Sequence, residues 1–343
     1  MDDDTQTIQP DPHEDPRRAL GEALHEIKRV IVGQDAMLER LMVSLLAGGH
    51  VLLEGVPGLA KTLTVRTLAD VVGGTFRRVQ FTPDLVPADL VGTRIWRPDT
   101  GRFDTELGPV FGNVLLADEI NRAPAKVQSA LLEVMQEHQV TIGGTTFPVP
   151  KPFLVLATQN PIESEGTYPL PEAQVDRFLM KLVVDYPTTG EEAAVVGRSL
   201  GEAPEIRQRL ELPALERYAA AAHAVLVDRD IIAYAVSLAD ATRHPAAHGL
   251  GDLAGMVEFG ASPRGPIGLV HAARALAMLR GRGYVNAGDV RDLAPDVLRH
   301  RLVLSYDALS EGITADDILN RVLDAVPEPE DRYLHRSTRT AAA

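Results

Sequence analysis

The sequence contains no cysteine among its 343 residues. This absence excludes disulfide bonds, thiolate zinc sites and a cysteine nucleophile. Because nothing in the composition requires an oxidising compartment, we expect a cytoplasmic protein. The first sixteen residues, MDDDTQTIQPDPHEDP, lack the basic and apolar regions of a signal peptide. Their acidic, proline-containing composition predicts a disordered tail over residues 1–16, and we expect a second disordered tail over 331–343.

Long apolar runs and positive charge are also scarce. No stretch approaches the ~18 uncharged apolar residues of a membrane-spanning helix, so we expect no transmembrane segment. Acidic residues outnumber basic ones by 48 to 34, which gives a net charge of -14. Proteins that bind nucleic acid gain much of their affinity from Lys and Arg. The charge therefore argues against nucleic acid as a partner, although the pore of an oligomer can still be locally basic.

Short apolar runs alternate with helical patterns in the first half of the chain. Candidate strands lie at 51–53, 76–81, 112–117, 153–157 and 178–184. Helical periodicity covers 17–30, 61–72 and 125–137, and a Gly-Gly pair within 140–147 indicates a hairpin. This alternation predicts an α/β fold with a parallel sheet that is covered on both faces.

The alternating pattern stops near residue 187, and alanine-rich helical segments follow. They lie at 213–226, 228–243 and 266–280, with two more beyond Asn286. We therefore predict an α/β domain over residues 17–187 and a smaller all-α domain over residues 188–330.

The segment GVPGLAKT, residues 55–62, follows the first candidate strand and nearly matches the phosphate-binding loop G-x-x-x-x-G-K-T. Ala60 stands where the second glycine is expected, which would cost roughly 1 kcal/mol if its φ were positive. Lys61 could reach phosphate oxygens, and the hydroxyl of Thr62 could bind magnesium. An incidental strand–helix turn is the alternative. The candidate nucleotide ligands are Gly55, Val56, Pro57, Gly58, Leu59, Ala60, Lys61 and Thr62.

A second apolar run, VLLADE at residues 114–119, ends in two acids. The carboxyl edge of a parallel sheet is where such folds bind ligands. Asp118 suits magnesium, and Glu119 suits a water activated for attack on a γ-phosphate. A solvated acidic turn is the alternative, but the loop upstream favours the catalytic interpretation.

Three further side chains each allow two interpretations. Asn160 follows a candidate strand and could hold a water, but the local sequence alone favours an Asn-Pro turn. Arg177 could stabilise charge on a γ-phosphate or pair with a neighbouring acid. Arg264 precedes a helix, where it could be solvated or could contact a phosphate.

In this order, the elements resemble the AAA+ ATPases, and their details are similar to the MoxR family. The matching stretches cover most of residues 30–302 and include LADEINRAP at 116–124 and EAQVDRF at 172–178. The resemblance implies an AAA+ P-loop NTPase domain with a central parallel sheet, followed by a small all-α lid. It also implies that Ala60 is compatible with a working loop, because the family commonly accepts alanine at this position.

The resemblance implies a role for each candidate at the phosphate end of the site. Lys61 and Thr62 would bind phosphates and magnesium, and Asp118 would hold the magnesium. Glu119 would activate the attacking water, and Asn160 would be the sensor that orients it.

Other roles implied by the resemblance lie farther along the chain. Val32, Gly33 and Gln34 would lie near the adenine. Arg177 would be the arginine finger supplied to the neighbouring subunit, and Arg264 would be the second sensor on the lid. Residues 81–108 match the helix-two insert, which in relatives faces the pore or the client, as does the hairpin at 140–149.

The function implied by the resemblance is ATP hydrolysis with Mg²⁺ in a homo-oligomeric ring, expected to be a hexamer. The family commonly remodels or matures a protein client, often with a partner that carries a von Willebrand factor A domain. The motor subunit of a metal chelatase and a DNA-remodelling AAA+ protein are the alternatives. A non-hydrolysing scaffold is disfavoured, because it would not need both Glu119 and Asn160.

Overall fold

A computed structural model describes residues 15–56, 59–160, 166–202 and 204–330. The strands are β1 Val51–Gly55, β2 Phe76–Gln80, β3 Gly92–Arg97, β4 Arg102–Leu107, β5 Val114–Asp118, β6 Gln139–Ile142, β7 Thr145–Pro148, β8 Leu154–Gln159, β9 Met180–Val184, β10 Val257–Phe259 and β11 Val303–Leu304. Of the expected tails over residues 1–16 and 331–343, residues 1–14 and 331–343 lie outside the described residues, whereas Asp15 caps α1 and Pro16 begins it.

The α-helices include those predicted from the sequence, with α2, α4, α6, α7 and a third helix beyond Asn286 as additions. They are α1 Pro16–Val30, α2 Asp35–Ala47, α3 Lys61–Val71, α4 Pro87–Val91, α5 Ala125–Glu137, α6 Glu172–Val175, α7 Thr189–Ser199, α8 Leu212–Ala224, α9 Arg229–Arg243, α10 Arg264–Leu279, α11 Ala287–Leu298, α12 Tyr306–Ser310 and α13 Ala315–Ala325. In the described part of the chain, no helix has the length and apolar character needed to cross a membrane.

The central sheet has five strands in the order β2-β5-β8-β1-β9, and all four pairings are parallel. Successive side chains of β1 enter different clusters, as expected for a strand buried on both sides. Val51 and Leu53 pack with helices α1–α3, whereas Leu52 packs with α5 and the region around β6. The prediction of a parallel sheet covered on both faces is confirmed.

Two antiparallel ribbons stand beside this sheet. Residues 81–108 contain α4 and the pair β3–β4, in which Trp96 lies opposite Phe103. The Gly-Gly hairpin predicted within 140–147 forms β6 and β7, with Ile142 paired to Thr145. Each ribbon pairs two short strands that a turn of two to four residues joins.

The C-terminal part is mainly helical, as predicted, but it also contains the short antiparallel pair β10–β11. Its helix α10 packs against α2 of the first part, so Leu41 and Leu276 belong to one hydrophobic cluster. Arg40 of α2 also donates to Asp296 of α11 at 2.9 Å. The two parts therefore share a continuous core.

Candidate nucleotide-binding site

A cleft of about 510 Å³ opens at the carboxyl ends of β1, β5 and β8. It brings together five side chains predicted from the sequence, namely Lys61, Thr62, Asp118, Glu119 and Asn160. Gly55, Leu59 and Ala60 also line the cleft, whereas Pro57 and Gly58 lie outside the described residues. Val56 follows β1 directly, at the start of the loop. The strand ends place a basic residue and two acids around one space, as the parallel sheet predicts.

The loop between β1 and α3 has two positions with strict backbone requirements. A Cβ atom on Gly55 would lie 2.6 Å from the carbonyl oxygen of Val184 in β9, so the close strand packing requires glycine. Ala60 immediately precedes α3 and has φ of 53° and ψ of 21°, in the left-handed region. Ala60 therefore has the positive φ that the sequence analysis considered the more costly conformation. The strain is roughly 1 kcal/mol at the start of the helix.

Lys61 is the first residue of α3, and its ammonium donates to the carbonyl oxygen of Gly55. Partial burial lowers the pKa of Lys61, while Asp118, Glu54 and Glu119 act in the opposite direction. Three carboxylates thus offset only part of the cost of burying this cation in the cleft. The ammonium lies at a helix N-terminus, a position that favours a bound anion.

The two acids are positioned by one buried hydroxyl that the sequence analysis missed. Thr158 of β8 donates to Oδ1 of Asp118 at 2.6 Å and accepts the backbone amide of Glu119 at 2.8 Å. Glu119 has φ of 56°, so its backbone leaves the strand in a left-handed turn. The polar residues that follow the apolar part of β8 indicated that Thr158 could belong to the site. No local pattern indicated its contact with β5.

The carboxylates also have basic neighbours. Oδ2 of Asp118 accepts from Nη2 of Arg78 at 2.7 Å and from its Nε at 3.2 Å. Nε of Arg122 lies 3.6 Å from Oε2 of Glu119. Both oxygens of Asp118 are therefore engaged by protein donors, and Arg78 is a second residue that the sequence analysis missed.

The segment predicted to lie near the adenine approaches the phosphate-binding loop through one residue. Nε2 of Gln34 is 3.5 Å from the carbonyl oxygen of Leu59. Val32 and Gly33 precede this residue but do not line the cleft itself. Gly33 has φ of 67°, and a Cβ there would lie 2.3 Å from Oε1 of Glu191 in α7. Helix α7 therefore covers this turn closely.

Arg177 and Arg264 lie together, away from the cleft. Both line a second cavity of about 330 Å³ that α10 borders. Nη1 of Arg177 donates to the carbonyl oxygen of Leu132 at 3.3 Å, and Nη1 of Arg264 lies 3.8 Å from Oδ2 of Asp176. The structure thus separates both arginines from the side chains around Lys61.

The position of Arg264 is stabilised by a contact between the two parts of the chain. Asp176 accepts from Nε of the buried Arg301 at 2.8 Å and from the hydroxyl of Ser262 at 2.9 Å. Arg301 also donates to the carbonyl oxygen of Phe178 at 2.8 Å. These contacts hold the beginning of α10 beside the segment that carries Arg177.

Comparison with known proteins matches two separate stretches of the chain to two domain families. Residues 50–180 match the family described as "ATPase family associated with various cellular activities (AAA)". Residues 253–322 match the AAA lid domain. Chaperone MoxR1 of Mycobacterium tuberculosis is 58% identical over 311 residues, which cover 91% of this chain and 82% of that protein. The chain belongs to the MoxR family of AAA+ ATPases.

Other proteins support this assignment over nearly the whole length. Protein MoxR of Methylorubrum extorquens is 34% identical over 333 residues, which cover 91% of this MoxR-family chain and 96% of that protein. The crystal structure of a candidate ATPase from Cytophaga hutchinsonii has a TM-score of 0.87 and 46% identity, covering 92% of this chain and 96% of that one. The predicted family and fold are confirmed, and membership indicates an ATP-binding ATPase in general terms.

The donor groups of the cleft fit magnesium as well as ATP. Thr62 supplies a hydroxyl and Asp118 a carboxylate, which are oxygen ligands of the kind that Mg²⁺ prefers. Both side chains line the same space as Lys61. In this MoxR-family protein, the cleft therefore combines a cation with oxygen groups of the kind that can hold a metal.

Proposed function

We propose that this protein hydrolyses ATP and uses the energy to remodel or mature a protein client. The observation that carries the ATPase assignment is the convergence of Lys61, Thr62, Asp118, Glu119 and Asn160 in one cleft. A protein that only binds nucleotide needs Lys61 but not a water-activating pair. The carboxylate of Glu119 and the amide of Asn160 together suit activation of a water.

The phosphates of ATP would bind at the beginning of α3. The first backbone amides of the helix are donors without partners in the helix itself, and Lys61 adds a full positive charge beside them. Thr62 and Asp118 would hold Mg²⁺, which supplies charge neutralisation at phosphate oxygens when it is bound. These contacts would bring the γ-phosphate to the acidic edge of the sheet.

Glu119 is the proposed proton acceptor for the attacking water, and Asn160 is proposed to orient that water. Both side chains line the cleft on the side of β5 and β8. The contact of Thr158 with the Glu119 amide fixes the backbone from which the carboxylate projects. General base catalysis requires correct geometry first and a suitable pKa second, and this contact contributes to the geometry.

Arg177 and Arg264 are proposed to act on the ATP of a neighbouring subunit in a homo-oligomeric ring, with a hexamer as the expected form. Their shared cavity lies apart from the chain's own cleft, which supports action in trans. Arginine remains charged and can stabilise charge that develops on a γ-phosphate. Each site would then be complete only when two subunits meet.

Client remodelling is supported by the similarity to Chaperone MoxR1 and by an exposed aromatic ribbon. Trp96 and Phe103 pack edge to face at 5.0 Å, and each is about half exposed. Aromatic side chains exposed in this way are typical of protein-binding surfaces. We propose that the β3–β4 ribbon contacts the client and that a protein with a von Willebrand factor A domain acts as partner.

Phosphate release from ATP, measured with and without Mg²⁺, tests the ATPase assignment directly. Remodelling is tested with a heat-unfolded reporter enzyme, whose recovery should require ATP and should fail with a non-hydrolysable analogue. A variant with serine at Trp96 and Phe103 should keep ATP turnover and lose recovery of the reporter. Recovery that is equal without ATP would contradict the proposed coupling.

A further inference from the structure

Arg78 makes a contact that the proposed ATPase chemistry does not require. It lies in β2, at the edge of the sheet, and forms two hydrogen bonds to Oδ2 of Asp118. The other carboxylate oxygen accepts the hydroxyl of Thr158. The side chain proposed to hold magnesium is therefore already paired with a protein cation.

The local geometry favours this pair over other arrangements. β2 and β5 are parallel, with Gln80 directly opposite Asp118 in the register. Arg78 lies two residues before Gln80 and therefore projects from the same face of the strand. Its Nη2 also donates to Oε1 of Gln80 at 3.0 Å. Gln80 thus holds the guanidinium at the level of the carboxylate.

The guanidinium reaches Asp118 from outside the cleft. Arg78 does not line that cleft, and 48% of its side chain is exposed. An arginine on an edge strand can move into solvent without leaving a buried cavity. The contact can therefore open while the sheet stays intact, which distinguishes it from the buried contact of Thr158.

We propose that Arg78 is a positioning residue that restrains magnesium binding by holding Oδ2 of Asp118. The inference rests on the proposed function, in which Asp118 holds the metal. A divalent cation at Asp118 has to compete for that oxygen and is repelled by a guanidinium that stays charged. Loading with magnesium then requires Arg78 to leave, so Arg78 sets the magnesium concentration at which the site fills.

Binding of a fluorescent ADP analogue at increasing Mg²⁺ concentrations tests this restraint without depending on turnover. Replacing Arg78 by glutamine should lower the half-saturating Mg²⁺ concentration by about threefold to fivefold, the size expected for one partly exposed charge. Arg78→Lys keeps the positive charge and should stay close to the wild type. Arg77→Gln removes the same charge from the adjacent residue, whose side chain points to the other face, and is the matched control.

Two results would overturn the inference. A higher half-saturating Mg²⁺ concentration in Arg78→Gln would mean that Arg78 orients Asp118 in favour of the metal. A change equal to that of Arg77→Gln would mean that only net charge matters. Titration with Mn²⁺ in the absence of nucleotide, followed by the electron paramagnetic resonance signal of the free ion, provides a second readout. If the wild type binds no nucleotide, the proposed function fails, whereas the Mn²⁺ titration still decides the role of Arg78.

Discussion

The hydroxyl of Thr158 lies 2.6 Å from Oδ1 of Asp118, between two adjacent strands of the sheet. Thr158 is only 3% exposed, and its oxygen also accepts the backbone amide of Glu119. One buried side chain therefore sets the positions of both acids at the end of β5. This contact couples the proposed metal ligand to the backbone of the proposed base.

Replacing Thr158 by valine keeps the shape of the side chain and removes both hydrogen bonds. The unpaired groups should cost about 1–3 kcal/mol of unfolding free energy. We expect ATP turnover to fall at least about tenfold, because Glu119 loses its backbone restraint. Phosphate release and chemical denaturation provide the two measurements. Thr158→Ser retains the hydroxyl and should recover most activity, and full turnover in the valine variant would contradict the role of this contact.

Replacing Glu119 by glutamine should keep nucleotide binding and abolish most turnover. The amide preserves size but cannot accept the proton of water, and loss of a general base typically costs about 10²–10⁴ in rate. Binding of a fluorescent ATP analogue and phosphate release separate the two effects. Glu216→Gln changes an exposed glutamate in α8 in the same way and should be neutral. Undiminished turnover in Glu119→Gln would rule out the assigned base.

Rings that contain two different variants should distinguish groups that act within one subunit from groups that act on a neighbouring subunit. Arg177→Ala and Lys61→Ala should each be inactive alone. Their mixture can place an intact Arg177 beside an intact Lys61 of the neighbour, so partial turnover should return. Arg264→Ala mixed with Lys61→Ala should behave in the same way, because Arg264 shares the cavity of Arg177.

Glu119→Gln is the control for the mixing experiment. Glu119 and Lys61 line the same cleft, so a mixture of these two variants cannot form a complete site from one subunit's cleft. It should remain inactive at every ratio. Rescue in this control, or its absence with the arginine variants, would contradict action in trans.

Acidification should destabilise the fold through His50. Its Nδ1 accepts the amide of Val155 and its Nε2 donates to the carbonyl oxygen of Met135, both at 3.1 Å. Burial lowers the pKa of His50 to about 4. In the unfolded chain, His50 has the ordinary histidine pKa of about 6.5. Below that pH the unfolded chain therefore binds a proton at His50 more readily than the folded protein does. Stability is fully present above pH ~6.5 and should be lost as the pH falls toward 4, by roughly 3 kcal/mol.

Denaturation midpoints between pH 7.5 and 5 provide the measurement for His50. His50→Gln retains a donor and an acceptor but cannot titrate, so its stability should depend less steeply on pH than that of the wild type. Burial also lowers the pKa of His300 well below its ordinary value, and this contribution remains in both proteins. Identical pH slopes for the two proteins would contradict a contribution from His50.

Much of the fold and of the cleft could be predicted because the signals are local. The apolar runs that end at Gly55 and Asp118 define strands, and the parallel sheet then brings their ends together. The contacts of Thr158 and Arg78 with Asp118 could not be predicted in this way. They depend on which strands are neighbours, since β2 and β8 flank β5 but are distant from it in sequence.

The same limit applies to the C-terminal part. Helical periodicity predicted α10, but no local pattern showed that Arg264 lies beside Asp176 and Arg177. The strands β10 and β11 have only three and two residues, too few for a periodic signal. The positive φ of Ala60 was also open, because its sequence neighbours allow either conformation.

The shared core of the two parts determines where movement can arise. Bending the lid away from the sheet would divide the hydrophobic cluster that contains Leu41 and Leu276 and break the contact of Arg40 with Asp296. Dividing such a core exposes apolar surface to water at a large cost in free energy. Each protomer should therefore travel as one rigid block during a catalytic cycle. In the proposed ring, the mechanical stroke would then occur between neighbouring protomers, where Arg177 and Arg264 of one are proposed to contact the cleft of the next.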